Sequence, residues 1–375
     1  MGSKIKSAIA CNLDRNILLA ALPLFQSEEV EAIEWSFDAL FKVKHIPDWF
    51  VDLLKEFSNS NRLIGHGVFF SIFSGRWSSE QEQWLKHLEK VSRNFKFEHV
   101  TEHFGFMTGE NFHQGAPISV PFTEETLALG QDRLKRIANA CACPVGLENL
   151  AFAYSLEEVK RHGDFLEQLV SPINGFIILD LHNLYCQMHN FDVSFENIIQ
   201  CFPLDKVKEI HISGGSWDQS EINKNKKVRR DTHDESVPKE VFTLLEKTII
   251  QCPNLDFVVI EQLGSGLKTE IQQTQFRIDF LKIKSIVSKS RTEKSINNQF
   301  EHFFHSDLEK PLQSEELHLD QMELSRILEH SNSVSQVRQK LTNSRLAKSA
   351  WGIENWDAVM IETVYKIAQK WKGGF

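Results

Sequence analysis

The sequence contains no apolar run that approaches the roughly 20 residues needed to cross a lipid bilayer. Its six cysteines are scattered, with one C-x-C pair and no C-x-x-C pair. This pattern supports neither a disulfide framework nor a zinc ribbon, so we expect most of the thiols to be small buried hydrophobes. Near the N-terminus, Lys4 and Lys6 are not followed by the apolar core of a secretory signal. We therefore expect a cytoplasmic protein that does not span a membrane.

Basic residues are in the minority, and a formal net charge of −9 at pH 7 leaves no general basic face for nucleic-acid binding. The exception is the basic run at residues 224–230, which predicts either a solvated loop or a basic lip that attracts an anionic segment of a substrate. The sequence also lacks a nucleophile elbow, a phosphate-binding loop and a dinucleotide fingerprint. Its chemistry must therefore come from another kind of site.

Short β-prone runs alternate with helical stretches along most of the chain. Several runs, such as residues 175–180 and 257–261, are almost continuously apolar, which is typical of strands buried on both faces of a parallel sheet. Between them, residues 123–140 have helical spacing and begin with a capping-box pattern at Thr123. The eight predicted strands are residues 7–13, 31–37, 62–70, 97–103, 144–149, 175–182, 207–213 and 256–262.

Nearly every predicted strand ends in His, Asp, Glu or Asn. Alternating strands and helices fit either a closed barrel or a doubly wound sheet. In a barrel all the carboxyl ends of the strands converge on one mouth, whereas in an open sheet they spread along an edge. The polar strand ends therefore favour an α/β protein with a (β/α)₈ TIM barrel.

The composition changes after about residue 285, where serine, lysine, glutamate and glutamine dominate. We predict a barrel at residues 1–285, a linker at residues 286–299 and a helical C-terminal extension at residues 300–375. Apolar residues recur at helical intervals in residues 317–328 and 350–371. Trp351, Trp356 and Trp371 are expected to act as packing anchors of this extension rather than as a binding surface.

The polar strand ends, together with a following Asp-Thr-His segment, form a set of nitrogen and oxygen donors without cysteine. Such a set suits iron, manganese or zinc, and eight donors are too many for one ion, so two or three ions are implied. Glu148 and Glu261 come from different strands and are candidates to bridge ions. Asp231 and His233 are two residues apart, which in an extended segment places both side chains on one side. The predicted ligands are His66, His103, Glu148, Asp180, His211, Asp231, His233 and Glu261.

Neighbouring residues leave alternatives open. Asn149 and Asn183 are either ligands or residues that orient ligands and water, and His182 competes with Asn183 for the position facing the metal. Glu34 and Glu102 are weaker candidates, for which a salt bridge is the expected role. His211 also has the alternative of a hydrogen-bonded core histidine.

A family resemblance rests on short motifs that occur in order across about residues 5–285. They are GHG at 65–67, TEH at 101–103, PFTEE at 121–125, LEN at 147–149, LDLHNLY at 179–185, EIHI at 209–212, DTH at 231–233 and the strand-terminal Glu261. In these motifs the chain resembles the multinuclear non-haem iron-dependent oxidative enzymes, typified by the iron enzyme of methanobactin biosynthesis. The family often reads Asp-Val-Asn-Asn where this chain has Asp180, Leu181, His182 and Asn183.

The resemblance implies that the eight predicted ligands bind iron, as two or three ions of mixed Fe(II) and Fe(III), with Asn183 as a possible additional ligand. It implies O₂ as co-substrate and a cysteine-containing, ribosomally made precursor peptide as substrate, delivered with a small leader-binding partner protein. The implied reaction binds the cysteine thiolate to iron, and an iron-superoxo species then abstracts a Cβ hydrogen. His211, Asp231 and Asn183 are the predicted catalytic residues.

Two other functions compete with this one. A zinc- or manganese-dependent barrel enzyme, either a sugar isomerase or an endonuclease-type hydrolase, uses similar donors at the same barrel mouth. The net negative charge argues against a nuclease, and the sequence shows no evident catalytic lysine near a strand end, which argues against a sugar isomerase. A non-enzymatic scaffold that works through its helical extension is disfavoured because the donor set is complete.

Overall fold

A computed structural model describes residues 4–40, 46–109, 114–290, 300–306 and 308–373. Eight parallel strands form a closed barrel in which each strand lies beside the next along the chain and the last pairs with the first. Every predicted strand overlaps one of them, so the predicted TIM barrel is confirmed. The strands are β1 (Lys6–Ala10), β2 (Ala32–Trp35), β3 (Leu63–Gly67), β4 (Val100–His103), β7 (Val145–Glu148), β8 (Phe176–Asp180), β9 (Val207–Ile212) and β12 (Phe257–Ile260).

Helices surround the barrel and cover the outer faces of its strands. The predicted helix at residues 123–140 is confirmed as α4, and Thr123 caps it by accepting a hydrogen bond from the Thr126 amide. The barrel helices are α1 (Arg15–Gln26), α2 (Asp48–Asn59), α3 (Ser79–Asn94), α4 (Glu124–Cys141), α5 (Leu156–Val170), α6 (Leu181–Phe191), α7 (Phe195–Ile199), α8 (Lys239–Thr248) and α9 (Glu270–Lys289). None of the helices in the described ranges is long and apolar enough to cross a membrane.

Two small hairpins stand in the loops that follow barrel strands at the mouth. The first pairs β5 (Phe106–Met107) with β6 (Pro117–Ile118) after β4, and the second pairs β10 (Trp217–Gln219) with β11 (Lys227–Arg229) after β9. The second hairpin, residues 217–229, is called the mouth hairpin below. The basic run at residues 224–230 forms its turn and second strand, so this run lies at the rim of the barrel.

Alternate residues of each strand point into the barrel. The centre of its interior is a small apolar layer of Ala8, Ala32, Ile64, Phe257 and Val259. Two alanines in this layer leave room for bulkier polar side chains nearer the mouth. The larger apolar core lies outside the barrel, between the strands and the helices.

The C-terminal extension contains α10 (Glu315–Glu329), α11 (Val334–Thr342) and α12 (Ala358–Trp371). The predicted helix at residues 317–328 lies within α10, but residues 350–357 are not α-helical as expected. The chain turns at Gly352, whose φ is +57°, and α12 begins only after Asp357, whose carboxylate caps it. Helix α9 continues to Lys289, so the first residues of the predicted linker are helical, and residues 291–299 of that linker lie outside the described residues. Short 3₁₀ turns occur at Phe37–Leu40, Ser171–Ile173, Leu204–Lys206, Gly264–Gly266, Arg345–Lys348 and Ile353–Asn355.

The extension packs on loops at the barrel mouth. The Gln321 side chain donates to the Phe73 carbonyl at 2.7 Å and accepts from the Gly75 amide at 2.9 Å. Gly75 permits this close approach, since a Cβ at that position would lie 2.5 Å from the backbone nitrogen of His318. Trp356 is buried and stacks on Tyr154 with ring centroids 3.7 Å apart, as expected of a packing anchor.

One buried carboxylate joins the extension to the mouth hairpin. Glu362 of α12 accepts hydrogen bonds from the Ser220 hydroxyl at 2.7 Å and from the Glu221 amide at 2.9 Å, and it pairs with Lys366 at 2.8 Å. Only 2% of the Glu362 residue surface is exposed. The hairpin turn therefore depends on this contact to satisfy its polar groups.

We expect Glu362→Ala to lower the free energy of unfolding by about 1–3 kcal/mol, because it removes the acceptor of the buried Ser220 hydroxyl and of the Glu221 amide. Denaturant unfolding measures this change. The matched control is Glu354→Ala, at an exposed position of the same extension, which should change stability by no more than about 0.5 kcal/mol. Equal effects of the two substitutions would contradict this role for Glu362.

Candidate metal centre

The ends of three barrel strands bring together the side chains of His66, His103 and Glu148. His103 Nε2 lies 3.3 Å and His66 Nε2 lies 3.7 Å from Glu148 Oε2. The other nitrogen of each ring is already engaged: His103 Nδ1 donates to the Gly67 carbonyl at 3.1 Å, and His66 Nδ1 lies 2.8 Å from the Thr101 hydroxyl. Each Nε2 lone pair is therefore directed toward Glu148, as in a histidine that binds a metal.

A second group shares Glu148 and adds Asp180, His211 and Glu261. Donor atoms of these four residues all lie within 4.8 Å of one another. His211 Nδ1 is 3.2 Å from Glu261 Oε2 and 3.7 Å from Glu148 Oε1. Because the two oxygens of Glu148 face different groups, the geometry suits the bridging role predicted for this residue.

Asp231 and His233 form a third group, and their side chains are 23% and 21% exposed. His233 Nε2 is 2.8 Å from Asp231 Oδ1, and His233 Nδ1 is 3.7 Å from Glu261 Oε2. The two side chains meet as predicted, but the segment is not fully extended, since His233 has a φ of +51°. This conformation is unfavourable for a residue with a Cβ and is typical of functional sites.

Several buried polar atoms of these groups have no hydrogen-bond partner in the described part of the chain. They are His66 Nε2, Glu148 Oε2, Asp180 Oδ2, Asn183 Oδ1, His211 Nδ1 and His233 Nε2. Burying such atoms without partners costs free energy, and bound cations would satisfy them. The donor set of imidazoles, carboxylates and an amide thus fits two or more metal ions.

Burial also shifts the proton affinities of these groups. It raises the pKa of Asp180 well above its ordinary value, and the neighbouring Asp231 and Glu148 raise it further. It lowers the pKa of His66 from 6.5 to about 4, so the ring is neutral at pH 7. A cation in the centre would hold the carboxylates ionised and would bind the neutral ring.

The strand predicted at residues 175–182 is shorter than expected. It ends at Asp180, which caps α6 by accepting a hydrogen bond from the Asn183 amide at 2.6 Å, so His182 and Asn183 lie in the first turn of that helix. Both ring nitrogens of His182 have partners, Asp231 at 2.9 Å and Arg229 at 3.1 Å. Asn183, with its free Oδ1, therefore faces the centre and His182 does not.

Asn149 has an orienting position rather than a ligand position. Its Oδ1 accepts from the Asp180 amide at 2.6 Å, and its Nδ2 donates to the Asp180 carbonyl at 3.2 Å. These two bonds hold the end of β8 in place.

A family model described as "RiPP precursor modification enzyme MbnB/TglH/ChrH" matches residues 33–264, which is more than half of the chain and includes every predicted ligand. The chain belongs to this family. The match confirms the resemblance inferred from the motifs, and the substrate class implied for the family is a ribosomally made precursor peptide. The matched residues end before α10, so the C-terminal extension lies outside them.

Curated relatives carry the name "UPF0276 protein". One from Caulobacter vibrioides is 26% identical over 189 residues, which are 48% of this chain and 62% of the relative. One from Shewanella loihica is 22% identical over 191 residues, 51% of this chain and 66% of the relative. The chain thus spans somewhat less than two thirds of the length of these relatives.

Solved structures with a similar fold include a xylose isomerase domain protein from Planctomyces limnophilus and an L-ribulose 3-epimerase. The first has a TM-score of 0.49 and 13% identity, with 76% of this chain and 98% of that chain covered. The second has a TM-score of 0.48 and 12% identity, with 77% and 97% covered. Likeness at this level supports no conclusion about function.

A buried chain of polar groups beneath the centre was not predicted. His211 Nε2 lies 3.0 Å from Glu209 Oε1 and 3.2 Å from Glu34 Oε2, and Glu209 also bonds to His99. The salt bridge expected for Glu34 is thus a contact with His211. The sequence carries a signal for Glu209, because residues two apart in a strand share a face and Glu209 precedes His211 by two.

Glu102 also differs from expectation. Instead of a salt bridge, its Oε1 accepts a hydrogen bond from the Phe70 amide at 2.8 Å, and it has no cationic partner in the described ranges. Glu102 therefore supports the loop after β3 and does not face the centre.

The buried His99 predicts a pH dependence of stability in the metal-free protein. Burial opposes its charge, but Glu98 and Glu209 outweigh burial and raise its pKa from 6.5 to about 9. Because the folded pKa exceeds the unfolded one, this stabilisation is complete below about pH 6.5 and is lost as the pH rises to about 9. Relative to His99→Gln, the wild-type chain should lose on the order of 3 kcal/mol across this window.

Denaturant unfolding between pH 6 and 10 measures the difference. His330→Gln, at an exposed position, is the control and should leave the wild-type profile unchanged. Parallel profiles for wild type and His99→Gln would show that the His99 pairs do not form.

Proposed function

We propose that this chain uses two or three iron ions and O₂ to oxidise cysteine residues of a ribosomally made precursor peptide. The observation that carries the proposal is the sharing of Glu148 between two groups of buried donors, with a third group beside them. Membership of a precursor-modifying family supports a peptide as the substrate. The mixed nitrogen and oxygen donors, without cysteine, suit iron.

Under this proposal His66, His103 and Glu148 hold one ion, Glu148, Asp180, His211 and Glu261 hold the second, and Asn183, Asp231 and His233 hold the third. Bound iron would supply Lewis acidity toward a cysteine thiolate and electrons for the reduction of O₂. Glu34 and Glu209 contact His211 Nε2 and would hold this ring in the orientation in which Nδ1 can bind an ion. Asp231, His211 and Asn183 remain the residues on which we expect catalysis to depend most.

The exposure of the donors indicates where the substrate enters. The side chains of His66 and His211 are 2% and 0% exposed, whereas those of His103, Asp231 and His233 are 27%, 23% and 21% exposed. We therefore expect a cysteine side chain to approach the centre past the latter three. The enclosed inner half excludes water from the other ligands, which strengthens their interaction with a cation.

The mouth hairpin stands beside this entrance and carries the exposed Lys224 and Lys227, with the half-buried Lys226 between them. We include in the proposal that this basic lip attracts an anionic segment of the peptide. We also propose a small leader-binding partner protein.

The proposed division of the chain is a barrel at residues 1–285, a linker at residues 286–299 and an extension at residues 300–375.

Metal analysis of anaerobically purified protein tests the proposal. We expect two or three irons per chain by plasma mass spectrometry, with visible absorption and a Mössbauer spectrum of mixed valence. Glu148→Ala should lose more than one ion, because it removes a shared ligand, while Glu157→Ala, at the exposed start of α5, should bind the wild-type amount. Stoichiometric zinc in a colourless protein that cannot accept iron would instead favour hydrolysis or isomerisation.

Incubation with cysteine-containing peptides tests the reaction itself. In the presence of O₂ and iron, mass spectrometry should detect a mass change confined to a cysteine-containing fragment. Asp231→Ala should reduce the rate by at least about 100-fold, since it removes a ligand on the side where the substrate enters. Turnover by the zinc form, or without O₂, would contradict an oxidative function.

A further inference from the structure

Arg229 is a buried cation that contacts no predicted metal ligand directly. It ends β11 of the mouth hairpin and is 3% exposed. Its guanidinium lies between the rings of Trp217 and Tyr185, at 5.3 and 5.5 Å from their centroids. Its backbone is held by Asn190 of α6, which accepts from the Arg229 amide at 2.8 Å and donates to the Arg229 carbonyl at 3.0 Å. The side chain is therefore fixed at both ends.

The contact between Arg229 and His182 determines which nitrogen of the imidazole carries a proton. Arg229 Nε lies 3.1 Å from His182 Nε2, and a guanidinium can only donate, so His182 Nε2 must be the acceptor. The proton of the neutral ring is then on Nδ1. That atom is 2.9 Å from Asp231 Oδ1 and donates to it.

We propose that Arg229 is a positioning residue that, through His182, holds Asp231 in the orientation needed to bind a metal ion. The inference rests on the proposed metal centre and extends it to a residue on the mouth hairpin. Arg229 sets the tautomer of His182, and the Nδ1 proton of His182 fixes one oxygen of Asp231. The same oxygen lies 2.8 Å from His233 Nε2, so the bond from His182 fixes the carboxylate beside the imidazole with which it would share an ion.

The Arg229→Met variant removes the donor but keeps a side chain of similar length. Outer partners of ligands commonly contribute 10- to 100-fold to metal affinity, so we expect at least about tenfold weaker binding of one ion and unchanged binding of the others. Anaerobic titration of metal-free protein with Fe²⁺ measures the affinity and stoichiometry. Arg230→Met is the matched control, because the adjacent Arg230 pairs with Asp218 and not with His182.

A pair of substitutions at His182 tests the same arrangement independently of Arg229. Glutamine carries an NH₂ group that can donate to Asp231 and a carbonyl oxygen that can accept from Arg229, so His182→Gln should retain most of the Fe²⁺ affinity. His182→Leu keeps the volume but neither bond, and it should match the loss in Arg229→Met. The difference between the two His182 variants separates a positioning role from a packing role. It tests the inference even if Arg229→Met does not fold.

The tautomer is measurable without metal. Side-chain ¹⁵N shifts of selectively labelled, metal-free protein should show a proton on Nδ1 of His182 in wild type, and Arg229→Met should abolish that preference. If both Arg229→Met and His182→Leu bind every ion with wild-type affinity, the inference is wrong although the metal centre stands. If wild-type protein takes up no Fe²⁺, the metal centre and this inference both fail, whatever the tautomer.

Discussion

The mouth of the barrel concentrates acidic and imidazole groups in a space that is largely closed to water. The mouth contains five carboxylates and four imidazoles, each with a donor atom within 4.8 Å of another member: Glu34, Glu148, Asp180, Asp231, Glu261, His66, His103, His211 and His233. Carboxylates at such spacing repel one another, and burial removes the water that would screen them. Cations between them would turn this repulsion into attraction, so metal binding would stabilise the mouth.

The interior of the barrel prepares this site from below. The polar groups of Glu209 and His99 occupy the axis under His211, and the ring of His99 packs between Phe176 and Phe257. Because Glu209 engages His211 Nε2, the opposite nitrogen faces Glu148 and Glu261. The inner layer thus fixes the orientation of a predicted ligand that solvent cannot reach.

The fold and most donors were predictable because both depend on local pattern. Apolar runs marked the strands, and the polar residue that ended each run pointed to the mouth. The position of His182 was not predictable in this way, since the strand ends two residues early at Asp180, whose carboxylate accepts a capping hydrogen bond from the Asn183 amide. Arg229 could not be identified either, because its contacts depend on how the mouth hairpin folds over α6.

The mouth hairpin connects parts of the chain that are distant in sequence. At its turn it is held by Glu362 of the extension, and at its base Gly215 lets the returning strand pass closely, since a Cβ there would lie 2.2 Å from the Arg230 carbonyl. The second strand of the hairpin places Arg229 in hydrogen-bond contact with His182, and Asp231 and His233 follow it in the chain. A movement of the extension can therefore change the positions of the third group of donors, whereas the barrel strands hold the inner groups. The site thus has a rigid half built by the strands and a half whose geometry depends on a hairpin held from outside the matched family region.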